Sequence, residues 1–404
     1  MPFQISLSGV DASSSALDVV ANNIANSQTT GFKTSTAEFA DVYATGSLNL
    51  SSNQSGEGVT IAGIAQQFTQ GNITQTGNNL DLAISGQGFF TLHDASGYSY
   101  TRNGSFSVDN QGFVVNETDQ RVQVYPALAT GGFNTGALSD LQLNTSQSAP
   151  NATANVGINL NLPANSTAPV VAFNPTNPAT YNNTTSTAVY DSLGNQHTAT
   201  FYYIATAIPN QWNVAMTVDG TQVGGLQPLD FSPAGVLTTP ATGIFAFPAD
   251  PIAGANPLTL SVNMTGTTQY GNQFGVNSIS QDGYSTGQLT TISVDGTGIV
   301  SAKYTNGRSL ELGQLAMSNF PNPQGLAPIG NSNWSQTFSS GGVIHGTAQS
   351  ANLGSIQSGA LESSNVDLTK ELVNMITAQR AFQANAQMIT TDDQITQTIL
   401  QIKG

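Results

Sequence analysis

Residues Ala21–Lys33 read ANNIANSQTTGFK, and they close a helix with residues that do not favour one. Upstream, Phe3, Val10, Leu17 and Ile24 recur every seven residues, with Leu7, Ser14 and Ala21 interleaved, which predicts an a/d seam over three heptads. Gly9 weakens that helix by about 1 kcal/mol. Then come Asn22, Asn23 and Asn26, whose amides compete with the helix for backbone hydrogen bonds. A helix that stops in this way needs something for those amides to hold.

The far end of the chain is also helical in pattern. Leu368, Leu372, Met375, Phe382, Ala386 and Ile389 form one stripe, and Met388, Ile395, Ile399 and Ile402 continue it on a slightly rotated face. A helix from Val366 to Ile402 is about 55 Å long. Ser364 and Asp367 have capping-box spacing at its start. The faces opposite the stripes are nearly uncharged. From Thr377 to Gln401 the only charges are Arg380, Asp392 and Asp393, and residues 1–32 carry only Asp11 and Asp18. Exposed helices normally display Lys, Glu and Arg there. Neither end buries its stripe alone, so the two helices are expected to pair. Their amide and hydroxyl faces suit packing among copies of the same chain, where a charge would need a partner.

Between the ends the sequence reads as strands and turns. Short Phe/Tyr/Val runs in Phe89–Tyr125 are broken at Asp94-Ala95-Ser96-Gly97, Asn103-Gly104 and Asp109–Gly112. A meander over Ala188–Val223 turns at Asp191–Asn195, Pro209-Asn210 and Asp219-Gly220, and Thr290–Phe320 turns at Asp295–Gly298 and Asn306-Gly307. Residues 145–284 hold most of the prolines and no Lys or Arg, which marks an inserted outer β domain. The flanking blocks 71–144 and 285–344 are then one discontinuous β domain. Residues 34–70 with 345–358 read as an irregular connector, and 1–33 with 359–404 as a terminal helical coiled-coil domain. The fold class is α+β, with terminal helices and mainly-β middle domains.

Charged residues make up 8% of the 404-residue chain, against about 25% in an ordinary domain, so its surface is largely Ser, Thr, Asn, Gln and Gly. The net charge of −15 argues against nucleic acid as a partner. With no cysteine there are no disulfides and no thiolate chemistry. This suits export in an unfolded state, and chance explains it equally. Met1–Asn22 lacks the basic start and solid apolar core of a signal peptide, and no run approaches 18 apolar residues, so no membrane insertion is expected. No catalytic, cofactor or metal site is expected. His93, His197 and His345 lie far apart in the sequence, and Asp392-Asp393 face about 100° apart on a helix. Gly86-Gln87-Gly88 lacks the strand–loop–helix setting of a dinucleotide fingerprint.

Three stretches carry a family resemblance. LDVVANNIANSQTTGFK (Leu17–Lys33) resembles the N-terminal signature of the flagellar axial proteins, the rod and hook family. LDLAISGQGFF (Leu80–Phe90) resembles its second motif, and GALESSNVDLTKELVNMITAQRAFQANAQMITTDDQI (Gly359–Ile395) its C-terminal signature. They lie in family order, and only Val10 departs, standing where the family usually has Leu. Length and the insert favour the hook branch over the shorter rod subunits.

The resemblance implies a subunit that polymerises with itself into a curved extracellular tube, with the helices packed around a central channel and β domains at larger radius. The tube is a universal joint between rod and filament. Implied partners are the distal rod protein, the hook cap protein, the hook–filament junction proteins and the flagellar type III export apparatus, which would export the chain without a cleavable signal peptide. The interface residues expected on this basis are Phe3, Leu7, Val10, Leu17, Asn22, Asn23, Ile24, Asn26, Gly31 and Phe32, with Leu368, Leu372, Met375, Phe382, Ile389, Ile395 and Ile399. In this reading the asparagines bond across subunit contacts or to exposed carbonyls and fix register. Gly31 takes a left-handed turn, Phe32 folds back as a plug, and Lys33 meets the negative helix end. An ordinary helix stop with solvated amides is the plain alternative. The rival functions are a distal rod subunit and, from another class, a β-rich surface adhesin.

Overall fold

A computed structural model describes residues 2–42, 56–143 and 147–402. The chain divides into two compact units, Met1–Asn144 with Thr291–Lys303 and Ser309–Gly404, and Thr145–Thr290 with Tyr304–Arg308. Terminal helices flanking a mainly-β middle is the expected fold class.

In the first unit, helix α1 (Pro2–Ala25) is followed by an antiparallel ribbon, β1 (Ser35–Val42) and β2 (Gly58–Gln66), with Ser35 opposite Gln66. This ribbon stands where an irregular connector was expected. Its period-2 signal is faint because neither face is fully buried and β1 sets only Phe39 and Val42 among alanines and acids. Residues 43–55 of that connector, and the expected junction at 144–145, lie outside the described residues. Next, β3 (Ile73–Gln75) pairs with Ala360–Glu362 and β4 (Leu82–Ser85) with Ser355–Ser358, so the segment leading to the last helix is itself strand.

The hairpin of β5 (Phe89–Asp94) and β6 (Gly97–Thr101) turns at the expected Asp94–Gly97. It lies inside a large sheet whose path runs through Ser309–Leu315, Arg121–Pro126, β5, β6 and Asn333–Ser335. Both faces of β5 are covered, and successive side chains point to opposite faces. Phe90 and Leu92 enter a core with Ile84, Val122 and Val300, while Phe89 enters an aromatic cluster with Tyr100, Phe320 and Trp334. Helix α2 (Leu368–Ile402) starts later than Val366. The expected capping box is not formed. Asp367 alone caps, its Oδ1 accepting from the Thr369 and Lys370 amides, because Ser364 still lies in the extended lead-in and bonds the Val366 amide.

The second unit has two sheets sharing one core. The first is the expected meander, Asn183–Tyr190, Gln196–Ala205, Gln211–Val218 and Thr221–Phe231, closed by Leu237–Thr239. Positive φ at Asp219 and Gly220 makes the mirror-image turn a tight hairpin needs. In the second sheet Asn155–Pro163 is central, and Val156, Ile158, Leu160 and Leu162 alternate into the core against Phe201, Tyr203, Trp212 and Val214. The unit runs on past 284 to Thr290 and takes in 304–308, because Asn306 donates to the Ser285 carbonyl and Arg308 stacks on Tyr284.

One charge cluster belongs to this unit. His197 Nδ1 lies 2.7 Å from Asp219 Oδ2 and Nε2 lies 3.5 Å from Asp191 Oδ2. The Asp219 hydrogen bond raises the His197 pKa above its ordinary value. Burial opposes the charge on Asp191, but hydrogen bonds from Asn195, the Leu193 amide and His197 outweigh it and hold its carboxyl at about 2. The Thr198 amide and His197 hold Asp219 low as well. Stability from the raised histidine is complete below its ordinary 6.5 and is lost as pH rises through the folded value. Stability from the depressed carboxyls is present above 3.8 and is lost as pH falls through theirs. Residues 145–290 expressed alone should therefore melt cooperatively with a β-type circular dichroism spectrum. The melting temperature should be highest at about pH 5 and lower at pH 8, and His197→Gln should flatten that difference. A random-coil spectrum, or no change in melting temperature between the two pH values, would contradict this.

Candidate assembly surface

The turn after α1 shows what the asparagines hold. Asn26 donates from its amide to the Asn22 carbonyl at 3.0 Å and accepts from Thr29 Oγ1, so it closes the helix end within the chain. Asn23 is buried. Its Nδ2 donates to the Ser35 carbonyl at 2.8 Å while its Oδ1 accepts from the Ser35 amide at 2.9 Å, a side chain paired with the first residue of β1 as a strand would be. Nδ2 also reaches Glu371 of α2 at 3.4 Å. Asn23 therefore fixes register inside one molecule, whereas Asn22 is exposed.

Gly31 has φ +69°, and a Cβ there would meet the Asn103 amide nitrogen at 2.5 Å, so the position requires glycine twice over. Phe32 is half-buried. Lys33 does not meet the helix end as expected. The Gly31 turn carries it away, and its side chain is wholly buried. Its Nζ donates to Glu362 Oε1 and to the Thr69 carbonyl, both at 2.7 Å. Glu362 Oε2 accepts from Arg102 at 3.1 Å, and Oε1 also accepts from the Gly71 amide. Arg102 continues to the Gly86 carbonyl and lies over the Phe89 ring. Burial pulls the Lys33 pKa below its ordinary value and Arg102 adds to that, while Glu362 opposes. Beside this triad, Asn365 accepts from the Thr34 amide and donates to the Gln67 carbonyl. The lead-out of α1 and the lead-in of α2 are thus clamped to the β core. Sequence reading missed Arg102, Glu362, Asn365 and Glu371. The available signal was scarcity, since the chain has only eight Lys and Arg.

The helices pack antiparallel, Gly9 lying against Asn385 and Asn23 against Glu371. The expected a/d seam is not the face they share. Ser6, Ala12, Ser13, Val19, Val20 and Asn23 are buried on α1, while Phe3 and Leu7 are exposed and Val10, Leu17 and Ile24 half-buried. On α2 the shared face carries Glu371, Asn374, Ala378, Ala381 and Asn385. Small side chains let the backbones approach; a Cβ on Gly9 would already sit 2.7 Å from Asn385. The larger apolar residues lie on other faces. Leu368, Leu372, Val373, Ile376, Phe382, Met388 and Ile395 are exposed, Leu372 by 51%, and Met375 and Ile389 are half-buried. The side chain of Ile399 lies outside the described residues.

The three histidines do not share one site, since His197 belongs to the second unit. His93 and His345 flank Tyr98, closer than their sequence positions suggested, and His345 Nδ1 lies 2.9 Å from Ser318 Oγ. That hydroxyl is fully buried and also bonded to Thr91, so it has no access to a substrate. Among the described residues no cluster of three metal-binding side chains occurs, and no helix is long and apolar enough to cross a membrane.

Two terminal helices clamped to one β core carry their larger apolar side chains outward. Matches to known proteins agree from end to end. Residues 3–33 match the flagella basal body rod protein family, 83–171 the flagellar hook protein FlgE/F/G D1 domain, 159–284 the flagellar basal body protein FlaE D2 domain, and 357–402 the flagellar basal body rod FlgEFG protein C-terminal family. The chain is 39% identical to the flagellar hook protein FlgE of Escherichia coli K12 and 38% to that of Salmonella typhimurium, over 100% of each chain. It is 32% identical to that of Borreliella burgdorferi over 98% of both. The crystal structure of Helicobacter pylori flagellar hook protein FlgE2 shares the fold at TM-score 0.55 and 15% identity, covering 72% of this chain and 100% of that one. The chain belongs to the flagellar hook protein FlgE family.

Breaking the triad has a definite sign. Glu362→Gln leaves Lys33 and Arg102 buried side by side without a counter-ion and should cost about 3–5 kcal/mol. Lys33→Met keeps the Glu362–Arg102 pair and should cost less. Denaturant unfolding in a Trp212→Phe background, where Trp334 reports the first unit, measures both. Equal losses would show that the charges do not act as a unit.

Proposed function

We propose that this chain is the structural subunit of the bacterial flagellar hook. It polymerises into a curved hollow tube that passes torque from rod to filament as a universal joint. The observation that carries this is the outward apolar stripe on two helices fixed to the β core. Each exposed side chain is still about half accessible, so burying the rest is worth about 1 kcal/mol, and only further copies offer matching surface along the whole length. The full-length likeness to proteins named hook protein supports the same reading. The interface comprises the outward and half-buried members of the two helices, Phe3, Leu7, Val10, Leu17 and Ile24 with Leu368, Leu372, Met375, Phe382, Ile389 and Ile395, and extends to Ile399, whose side chain lies outside the described residues.

The chain works outside the cell, leaves by the flagellar export apparatus, and meets the distal rod below and the cap and junction proteins above. It has no catalytic role. The inserted β unit argues against a plain distal rod subunit, and the fixed terminal helices argue against an adhesin.

Electron microscopy at rising protein concentration tests the assignment. Curved tubes are expected; straight tubes would favour a rod subunit, and their absence an adhesin. Phe382→Asp should raise the critical concentration for assembly by about 10-fold or more, since Phe382 is 37% exposed, burying the remainder is worth about 1 kcal/mol, and the carboxylate adds its own desolvation cost. Melting of the β units should stay near wild type, because Phe382 belongs to none of their buried clusters. Gln383→Asp should do less. Normal assembly of Phe382→Asp would remove α2 from the interface.

A further inference from the structure

The first unit contains a groove of about 830 Å³ beside α1, walled by Ile61, Ile64, Leu326 and Pro328 and bordered by Asp18 and Asn22. Ile61 and Ile64 of β2 are exposed, and Ile64 is 60% accessible. Asp11 lies one heptad before Asp18 on the same side of α1, and both are exposed. These two are the only charges in residues 1–32. On α2 the matching features are Val373, Ile376 and Arg380, at i, i+3 and i+7 on successive turns of one face. Val373 is 58% and Ile376 50% exposed. Arg380 is the only base between Glu371 and Ile402. Among the described residues neither Arg380 nor the two aspartates has an ionic partner.

We propose that this groove receives the Val373–Arg380 face of α2 from a second copy of the chain, with Arg380 placed between Asp11 and Asp18. The proposal rests on the subunit reading above and names its contact. The chain's own α2 cannot fill the groove. It meets α1 through Glu371, Asn374, Ala378, Ala381 and Asn385, and at about 100° per residue Arg380 stands about 140° around the helix from the centre of that face. The levels also match. With Gly9 beside Asn385 and Asn23 beside Glu371, Arg380 stands at a height midway between Asp11 and Asp18. A copy docked alongside with little axial shift therefore brings one guanidinium to two carboxylates, and Val373 and Ile376 to the apolar wall. In packed helix layers an unpaired charge is costly, so the few charges present must face one another. They then set the axial register, which apolar stripes alone leave free to slip.

The test uses the full chain and reads the critical concentration by sedimentation. Arg380→Glu should raise it about 10-fold or more, and Asp11→Lys with Asp18→Lys should do the same. All three substitutions together should restore it to within about threefold of wild type. Melting curves of the unassembled variants should match wild type, since all three side chains are exposed. The chain has no cysteine, so a second measurement is clean. Ile64→Cys chains mixed with Ile376→Cys chains should form disulfide-linked dimers on oxidation only above the critical concentration. The pairing is overturned if Arg380→Glu assembles as wild type, if the combined variant is no better than its parents, or if no cross-link forms in polymer. Failure of the unsubstituted chain to polymerise overturns the subunit reading as well, which distinguishes the two.

Discussion

A single carboxylate, Glu362, holds the first unit together at the place where its two helices leave it. Lys33 comes from the end of α1, Arg102 from the strand end after β6, and Glu362 from the strand before α2. Their side chains are 0%, 4% and 0% exposed. Two cations around one anion leave an excess positive charge, and the carbonyls of Thr69 and Gly86 turn toward it. Burying such a group does not by itself add much stability. It does allow only one arrangement, because any other would leave a charge in the core without a partner. The helices consequently leave the β core from fixed points.

Asparagine extends that clamp without adding charge. Asn23 and Asn365 each present a donor and an acceptor to main-chain groups, Asn23 to Ser35 and Asn365 to Thr34 and Gln67. An amide side chain has the same hydrogen-bonding groups as a peptide unit, so it completes a backbone that neither helix nor sheet satisfies at the junction. Few charges then remain for the outer surface of the helices, and those few stand apart.

The packing of α1 on α2 explains why the larger apolar residues face outward. Gly9, Ala12, Ser13 and Ala16 oppose Ala378, Ala381 and Asn385. That contact uses small side chains, and Phe3, Leu7, Leu372 and Phe382 lie on other sides. A molecule arranged in this way satisfies its polar junction internally and leaves its larger apolar side chains exposed on the helices. The β units have cores of their own.

Several features were determined by local sequence. The two helices follow from heptad and 3.6-residue spacing, and the turns at Asp94–Gly97, Asp191–Asn195 and Asp219-Gly220 from residues that favour such backbone. The left-handed turn at Gly31 was legible for the same reason, and the three family signatures were legible as strings. Tertiary structure alone decided which helix face packs inward. Periodicity marks Phe3, Leu7, Val10, Leu17 and Ile24 as apolar, but it cannot tell whether the nearest partner needs large side chains or a close backbone. It also decided the partners of Lys33 and Asn23. Lys33 meets Glu362 across 329 positions and Asn23 meets Glu371 across 348. No local spacing encodes such pairs, because they exist only once β3, β4 and β6 have brought the chain ends together. The ribbon at 35–66 was hidden for a related reason, since a strand with neither face fully buried, and with a bulge at Glu38/Phe39, loses the alternation by which a strand is read.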